Sequence, residues 1–363
     1  MGLKVLILDI VLSFFNIFVR LCPINDKKIA FVSLESTTLQ DDLKQIYDAL
    51  KEEDYTFSFV LTSFRKNNLW TNFTYFLNTI KQLYVINTSK LVFINDNNYV
   101  ISKYKRSGVH VVQVWHASGA IKKFGNVIKR SYPIGNYDYV LANGNYWVKP
   151  YSQAFSVKEE QVLPIGMPRL DLVVDHGYMN QAREEMFARF PQLKDKRILL
   201  YAPTFRGDIY KGVTKVDIDL EKVARALGDD VVILFKCHPL LNGESYPESD
   251  RVYNMNDEVL YHLFSIADCM ISDFSSIVFD FALMNKPVHA YVPDFDQYLL
   301  ERGCFVDYQS LMKDHMATTE EELIKILKQE DNNAEAIKNT YVECGDGCNL
   351  KRTVALVHKI MHS

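Results

Sequence analysis

The stretch DCMISDFSSIVFDFALMNKPVHAYV, Asp268 to Val292, decides how the chain is read. Cys269 to Ser272 is a short apolar run of strand length. Asp273, Phe274, Ser275 and Ser276 make a hydroxyl-rich turn, and Ile277 to Met284 follows with helical spacing and an acid, Asp280, inside it. Lys286 and Pro287 stop that helix, and Val288 to Val292 starts a second apolar run. Strand, turn, helix and strand in this compass make a βαβ unit.

The same grammar extends outward. RILLYAPTF (197–205) and VVILFKCHP (231–239) are strands of this kind, with the helical LEKVARALG between them. Further upstream stand KIAFVSL (28–34), FSFVLTS (57–63), LVFIND (91–96), VHVVQVW (109–115) and YVLAN (139–143). A polar amphipathic stretch, GYMNQAREEMFARFPQLKDK, separates the two sets. The expectation is an α/β chain with two Rossmann-like domains facing a central cleft. The first would span 23–190 and the second 191–345. A helix at 346–363 follows, and whether it crosses back to the first domain stays open.

Composition agrees with that size. The 363 residues suit two ordinary domains, and 48% apolar content fills two cores. A net charge of -4 gives no global field for nucleic acid, so basic function must be local. The six cysteines are scattered, and Cys344 and Cys348 form one CxxxC without a second pair, which argues against zinc. This pattern points to a reducing, cytoplasmic compartment.

Residues 1–22 are apolar except for an interrupting set in which Asp9, Ser13, Asn16 and Arg20 share one helical stripe. The charge and the short span argue against a transmembrane helix. Two readings remain: a helix packed into its own domain, or an amphipathic helix lying in the membrane interface. Phe64 to Phe76 adds a basic and aromatic cluster, with Arg65 and Lys66, that suits an anionic membrane surface.

The strand ends carry the chemistry. VHVVQVW delivers Trp115 and His116 onto the small-residue turn Ala117, Ser118, Gly119 and Ala120. RILLYAPTF leads into Thr204 and Arg206; VVILF leads into Lys236, Cys237 and His238. Taken alone, SDFSS reads as an ordinary N-cap and KCHP as a solvated strand end. Three consecutive strands ending in groups that suit phosphate or proton transfer make coincidence the weaker explanation. Arg169 and Arg302 add anion contacts.

Taken together, QVWHASGAIKKFG, IGMPRLD, YAPTFR, KCHP, ISDFSSIVFDFALMNKP and YVPDFDQYLLERG resemble the successive motifs of the teichoic acid glycerol- and ribitol-phosphotransferases, from about Lys28 to Arg352. The resemblance implies a GT-B fold and peripheral attachment to the cytoplasmic face of the membrane. It implies His116 as general base and His238 near the donor's phosphates. Ser275, Ser276 and Asp280 match donor-binding positions; Arg169 and Thr204 match a binding arginine and the threonine of the APT motif. Ala117 stands where many relatives have glycine, a departure that points to the priming branch. The implied donor is CDP-glycerol, and the implied acceptor is an undecaprenyl-diphosphate-linked disaccharide. No cofactor is expected. DFD, Asp294 to Asp296, has the spacing of a metal motif but falls within the family's proline-Asp segment, so no metal is expected either. Polymerisation, a ribitol donor, a nucleotide-sugar glycosyltransferase or epimerase, and assembly as a homo-oligomer or wall-synthesis complex stay open.

Overall fold

β-Branched and aromatic runs become strands, and the computed structural model describes residues 3–63, 69–208, 212–238, 240–241, 245–329 and 331–363. The chain forms two units. The first comprises 1–117, 124–169 and 348–363; the second comprises 118–123 and 170–347.

In the first unit, β1 (Asn25–Ser33), β2 (Thr56–Leu61), β3 (Ser89–Ile94), β4 (His110–Gln113), β5 (Tyr139–Leu141) and β6 (Val162–Leu163) form one parallel sheet. Their order is β2-β1-β3-β4-β5-β6. The helices are α1 (Leu3–Leu21), α2 (Asp41–Leu50), α3 (Leu69–Asn87), α4 (Tyr99–Tyr104) and α5 (Val148–Phe155). Parallel strands need both faces covered, which is why β1 and β3 read as continuous apolar runs. Ile29 and Phe31 on β1 lie beside Leu91 and Phe93 on β3, and this row packs with Leu43, Ile46 and Leu50 of α2.

The second unit repeats the plan. β7 (Arg197–Tyr201), β10 (Val231–Phe235), β11 (Val252–Asn254), β12 (Cys269–Ser272), β13 (Val288–Tyr291) and β14 (Met316–Ala317) are parallel in the order β11-β10-β7-β12-β13-β14. A small antiparallel pair, β8 (Arg206–Asp208) and β9 (Gly212–Thr214), follows β7. The helices are α6 (Leu170–Val174), α7 (His176–Arg189), α8 (Leu220–Leu227), α9 (Leu260–Ile266), α10 (Ile277–Ala282), α11 (Phe295–Arg302), α12 (Tyr308–Met312), α13 (Glu320–Leu327) and α14 (Ala334–Tyr341). Asp219 caps α8 by accepting the Lys222 N–H at 2.9 Å, and Thr319 with Glu322 forms a capping box on α13. The last helix, α15 (Asn349–Met361), belongs to the first unit, where Leu356, Val357 and Ile360 join the core of β1 and β3.

Two expectations are corrected here. The units part after Arg169 rather than at 190, because α7 packs on α9. Met179, Ala182 and Met186 are buried, and the Arg183 guanidinium donates to the Ser265 carbonyl at 2.9 Å. The short segment Ser118–Lys123 also groups with the second unit.

The orientation of α1 follows from its polar stripe, which turns inward. Asp9 is buried and accepts from the Tyr99 and Tyr104 hydroxyls and the Lys103 ammonium. Ser13 meets the Tyr104 hydroxyl at 3.2 Å, and Arg106 donates to the carbonyls of Val19 and Cys22. Burial would push the Asp9 carboxyl up, but Lys103, Tyr99 and Tyr104 hold it below its ordinary value. The apolar face is left outward, with Ile10, Phe14, Ile17, Phe18 and Leu21 all more than half exposed. Among the described residues no helix is long and apolar enough to cross a membrane. The side chains of Lys4 and Val5 and the basic cluster at Arg65 and Lys66 lie outside the described residues.

Candidate active site

In an open parallel sheet, ligands collect beyond the carboxyl ends of the strands where the order reverses. In the first unit that point lies between β1 and β3. The chain leaves β1 at Glu35, β3 at Asp96 and β4 at His116. One ligand-type atom from each of these residues lies within 4.8 Å of the others, close enough to share a proton or a cation. His116 Nδ1 is 3.0 Å from Glu35 Oε1 and 3.1 Å from the Asn95 carbonyl oxygen, and the side chain is 41% exposed.

The backbone that presents His116 is strained. Trp115 has φ 45°, a left-handed conformation that costs a bulky residue about 1–3 kcal/mol. Its N–H donates to Gln113 Oε1 at 2.9 Å, and its buried indole stacks on Phe124 at 4.6 Å and meets Phe155 edge-on. Gly125 (φ 68°) lets this segment lie against α5, since a Cβ there would stand 2.2 Å from the Ala154 carbonyl oxygen. Ala117 is held through its carbonyl, which accepts the Tyr151 hydroxyl at 3.3 Å.

Burial pulls the His116 imidazole down, but the hydrogen bond and charge of Glu35, with Asp96 and the Asn95 carbonyl, outweigh it and raise it. Asp96 is itself pushed up by burial and by Glu35, against the pull of His116. Arg169 borders the same pocket, with Gln40, Asp42, Asn95 and Trp115. Its backbone N–H and its guanidinium both donate to Asp42, at 2.7 and 2.6 Å, and both residues are buried. Burial pushes the Asp42 carboxyl up to about 6 against the attraction of Arg169.

In the second unit the order reverses between β7 and β12, and the residues beyond these strands again meet. Thr204 donates to Asp273 through its backbone N–H at 2.9 Å and its hydroxyl at 3.0 Å. Arg206 donates to Asp273 at 2.7 Å, to Thr204 Oγ1 at 3.1 Å, and to both oxygens of Asp294. Its guanidinium also lies over the Phe274 and Tyr298 rings, which stack at 3.8 Å. Arg206 and Asp294 thus brace the loops, and Asp294 of the DFD segment spends its carboxylate on this arginine.

Ser275 and Ser276 follow at partly exposed positions, and Ser276 makes no side-chain cap bond to α10. The ordinary N-cap reading therefore does not account for its hydroxyl. Asp280 is buried and accepts the Tyr261 hydroxyl at 2.9 Å. Beyond β10, the Lys236 ammonium donates to the carbonyls of Asn256 and Glu258, and the Cys237 N–H donates to Asn256 Oδ1. His238 accepts the Leu240 N–H at Nδ1 and sits edge-on to Phe205. The exposed Arg302 donates to the Gly207 carbonyl, and Ser118 is buried.

The motif reading gives no role to three residues of this geometry, although Lys122 falls inside QVWHASGAIKKFG. Glu35 and Asp96 end strands whose neighbourhood depends on sheet order, which the sequence does not state. Lys122 lies in the second unit, its backbone bridged to Cys304 and its ammonium 5.7 Å above the Phe205 ring. Burial lowers the Lys122 ammonium, with Arg206 and Arg302 adding to the effect and Asp273 opposing it. Its position among Phe205, Arg206 and Arg302 is the signal, and it exists only in three dimensions.

Comparison with known proteins adds the family. Residues 13–359 match the model of the CDP-Glycerol:Poly(glycerophosphate) glycerophosphotransferase family. The chain is 31% identical over 336 residues to the teichoic acid poly(ribitol-phosphate) polymerase of Bacillus spizizenii, covering 88% of this chain and 53% of that protein. It is 28% identical to the teichoic acid ribitol-phosphate primase of the same organism, covering 96% and 95%. The teichoic acid glycerol-phosphate primase of Bacillus subtilis is 29% identical, over 68% of this chain and 67% of that protein. The chain therefore spans about half the length of the polymerase and nearly all of the ribitol-phosphate primase. Among solved structures, the wall teichoic acid polymerase TagF superposes with a TM-score of 0.74 at 22% identity, covering 97% of this chain and 93% of that one. A UDP-GlcNAc 2-epimerase from Neisseria meningitidis shares the fold more distantly, with a TM-score of 0.56 at 12% identity over 92% of this chain and 100% of that one. With residues 13–359, and so both sheets, inside the family match, the chain belongs to the CDP-glycerol:poly(glycerophosphate) glycerophosphotransferase family.

Proposed function

We propose that this chain transfers glycerol phosphate from CDP-glycerol to a lipid-linked ManNAc-GlcNAc-diphosphate-undecaprenol acceptor, releasing CMP, as the priming step of wall teichoic acid synthesis. The observation that carries this reading is His116, partly exposed at the switch point of the first unit with Nδ1 already engaged. The imidazole takes the acceptor hydroxyl's proton as that oxygen attacks the β-phosphorus, and CMP leaves. Charge spreads over phosphate oxygens, so positioning and electrostatics contribute most. In this reading Ser275, Ser276, His238, Lys122 and Arg302 hold the donor diphosphate. Arg206 and Asp273 keep that surface rigid.

The chain takes the GT-B fold in this proposal, and the enzyme works on the cytoplasmic face of the cell membrane. The outward apolar side chains of α1 support that location, because Phe14, Phe18 and their neighbours suit an interfacial position better than water. A second reading keeps the chemistry but takes CDP-ribitol as donor. The near-complete coverage of a ribitol-phosphate primase favours it.

The test is CMP release with a synthetic ManNAc-GlcNAc-diphosphate-lipid acceptor, run with CDP-glycerol and CDP-ribitol in parallel. Release with CDP-glycerol and a product one unit longer is the expected result. Ribitol preference selects the second reading, and a ladder of products replaces priming by polymerisation. No release with either donor overturns both readings.

A further inference from the structure

His116 has two ring nitrogens, and its surroundings distinguish them. Nδ1 faces the Glu35 carboxylate at 3.0 Å and the Asn95 carbonyl oxygen at 3.1 Å. Both neighbours are acceptors, and a carbonyl oxygen can do nothing else, so Nδ1 carries the hydrogen. In the neutral ring the lone pair is then on Nε2.

Glu35 is built into this position. It leaves β1 at a turn where its N–H donates to the hydroxyl of buried Ser33 at 3.3 Å. The remaining charges around the ring come from separate elements. Asp96 stands at the end of β3, with the charge of Arg130 acting on it. Asp41 and Asp42 stand at the start of α2, where Asp42 is paired to Arg169. Among these charged groups it is Glu35 that comes within hydrogen-bond distance of the ring.

We propose that Glu35 is the positioning residue of a carboxylate–imidazole pair, holding the Nδ1 hydrogen so that Nε2 receives the proton of the attacking hydroxyl. This rests on the reading of His116 as the base. The acceptor O–H bond breaks and its proton moves to Nε2. The freed oxygen forms a bond to the β-phosphorus, and the bond from that phosphorus to the bridging oxygen breaks with its electron pair leaving on CMP. The imidazolium keeps its Nδ1–H on Glu35 and afterwards returns the Nε2 proton to water. Glu35 gains no proton; it fixes the ring and stabilises its cationic form.

The experiment is the pH dependence of kcat for the full chain and for Glu35→Gln, Glu35→Asp and His116→Ala, with donor affinity from calorimetry. Glu35→Gln keeps an acceptor and removes the charge. Its acidic limb should shift to lower pH, and kcat should fall roughly tenfold or more, short of the ~10²–10⁴-fold loss expected for His116→Ala. Donor affinity should stay unchanged, and Glu35→Asp should recover part of the limb. A Glu35→Gln profile that coincides with the parent's, beside an inactive His116→Ala, overturns the positioning role and leaves the base reading standing. Full turnover by His116→Ala overturns both. Loss of parent activity on chelation, restored by Mg²⁺, would make the cluster a cation site and overturn the proposal as well.

Discussion

The two switch points share a topology and differ in how their charges are finished. At the first, His116 is 41% exposed beside the carboxylates of Glu35 and Asp96. At the second, Arg206 is 14% exposed and Asp273 is 1% exposed, and the guanidinium is clamped between two carboxylates, Asp273 and Asp294, with Thr204 beside them. The difference is the cation rather than the acids: an imidazole that is partly hydrated can change its charge near neutral pH. A guanidinium keeps its charge, and held in a mostly buried lattice it gives stiffness instead. The same sheet plan therefore supports a titrating end and a rigid end.

The sharpest way to break this contrast is to remove the cation from the rigid end. Arg206→Met leaves Asp273 buried without its counter-ion, which should cost about 3–5 kcal/mol of stability. Glu35→Gln at the wetter end should cost no more than about 1 kcal/mol. Denaturant titration of the two variants measures the difference, and equal losses would erase the distinction.

A smaller effect tests what the rigid end is for. Ser276→Ala should leave stability nearly untouched and weaken CDP-glycerol binding by about 1.5–3 kcal/mol, the worth of a hydrogen bond to a charged group. Calorimetry showing unaltered donor affinity would remove Ser276 from the donor site.

The smallest expected effect concerns a titrating pair in the core of the rigid unit. His289 and His315 are buried with their Nδ1 atoms 3.3 Å apart. Burial first, then the charges of His315 and Arg197, pushes His289 down to about 3. The folded ring stays neutral where the unfolded ring gains a proton, near pH 6.5. Its contribution is thus complete above that pH and declines as pH falls towards 3, by about 1.4 kcal/mol per unit. Thermal unfolding at pH 7.5 and 5.5 should show a lower midpoint at the acid value that His289→Leu removes; a loss that His289→Leu retains would place the sensitivity elsewhere.

Central strands were legible in the sequence because burial on both faces demands long apolar runs. Ile29 to Val32, Ile198 to Tyr201 and Val231 to Phe235 announce themselves in that way. Three of the four edge strands did not. β6 and β14 have two residues each and β11 has three, too few for any period to register. His116, Thr204 and the SDFSS serines stood out because they end recognisable strands. Glu35 and Lys122 did not, since their significance comes from strand order and from a loop that joins the other unit. The inward turn of Asp9 was equally hidden: a polar stripe on an apolar helix reads as facing water until Tyr99, Lys103 and Tyr104 are placed opposite it.

The assignment of α15 to the first unit has a consequence for how the protein is made. The ribosome completes β1 to β6, then translates all of residues 170–347, and only afterwards releases the helix whose Leu356, Val357 and Ile360 cover the β1 and β3 row. At elongation rates of about 5–20 residues per second that interval is on the order of 10–40 s. Throughout it, α2 already covers part of that face, but the part that α15 covers stays open on the nascent chain, a surface on which premature aggregation would begin.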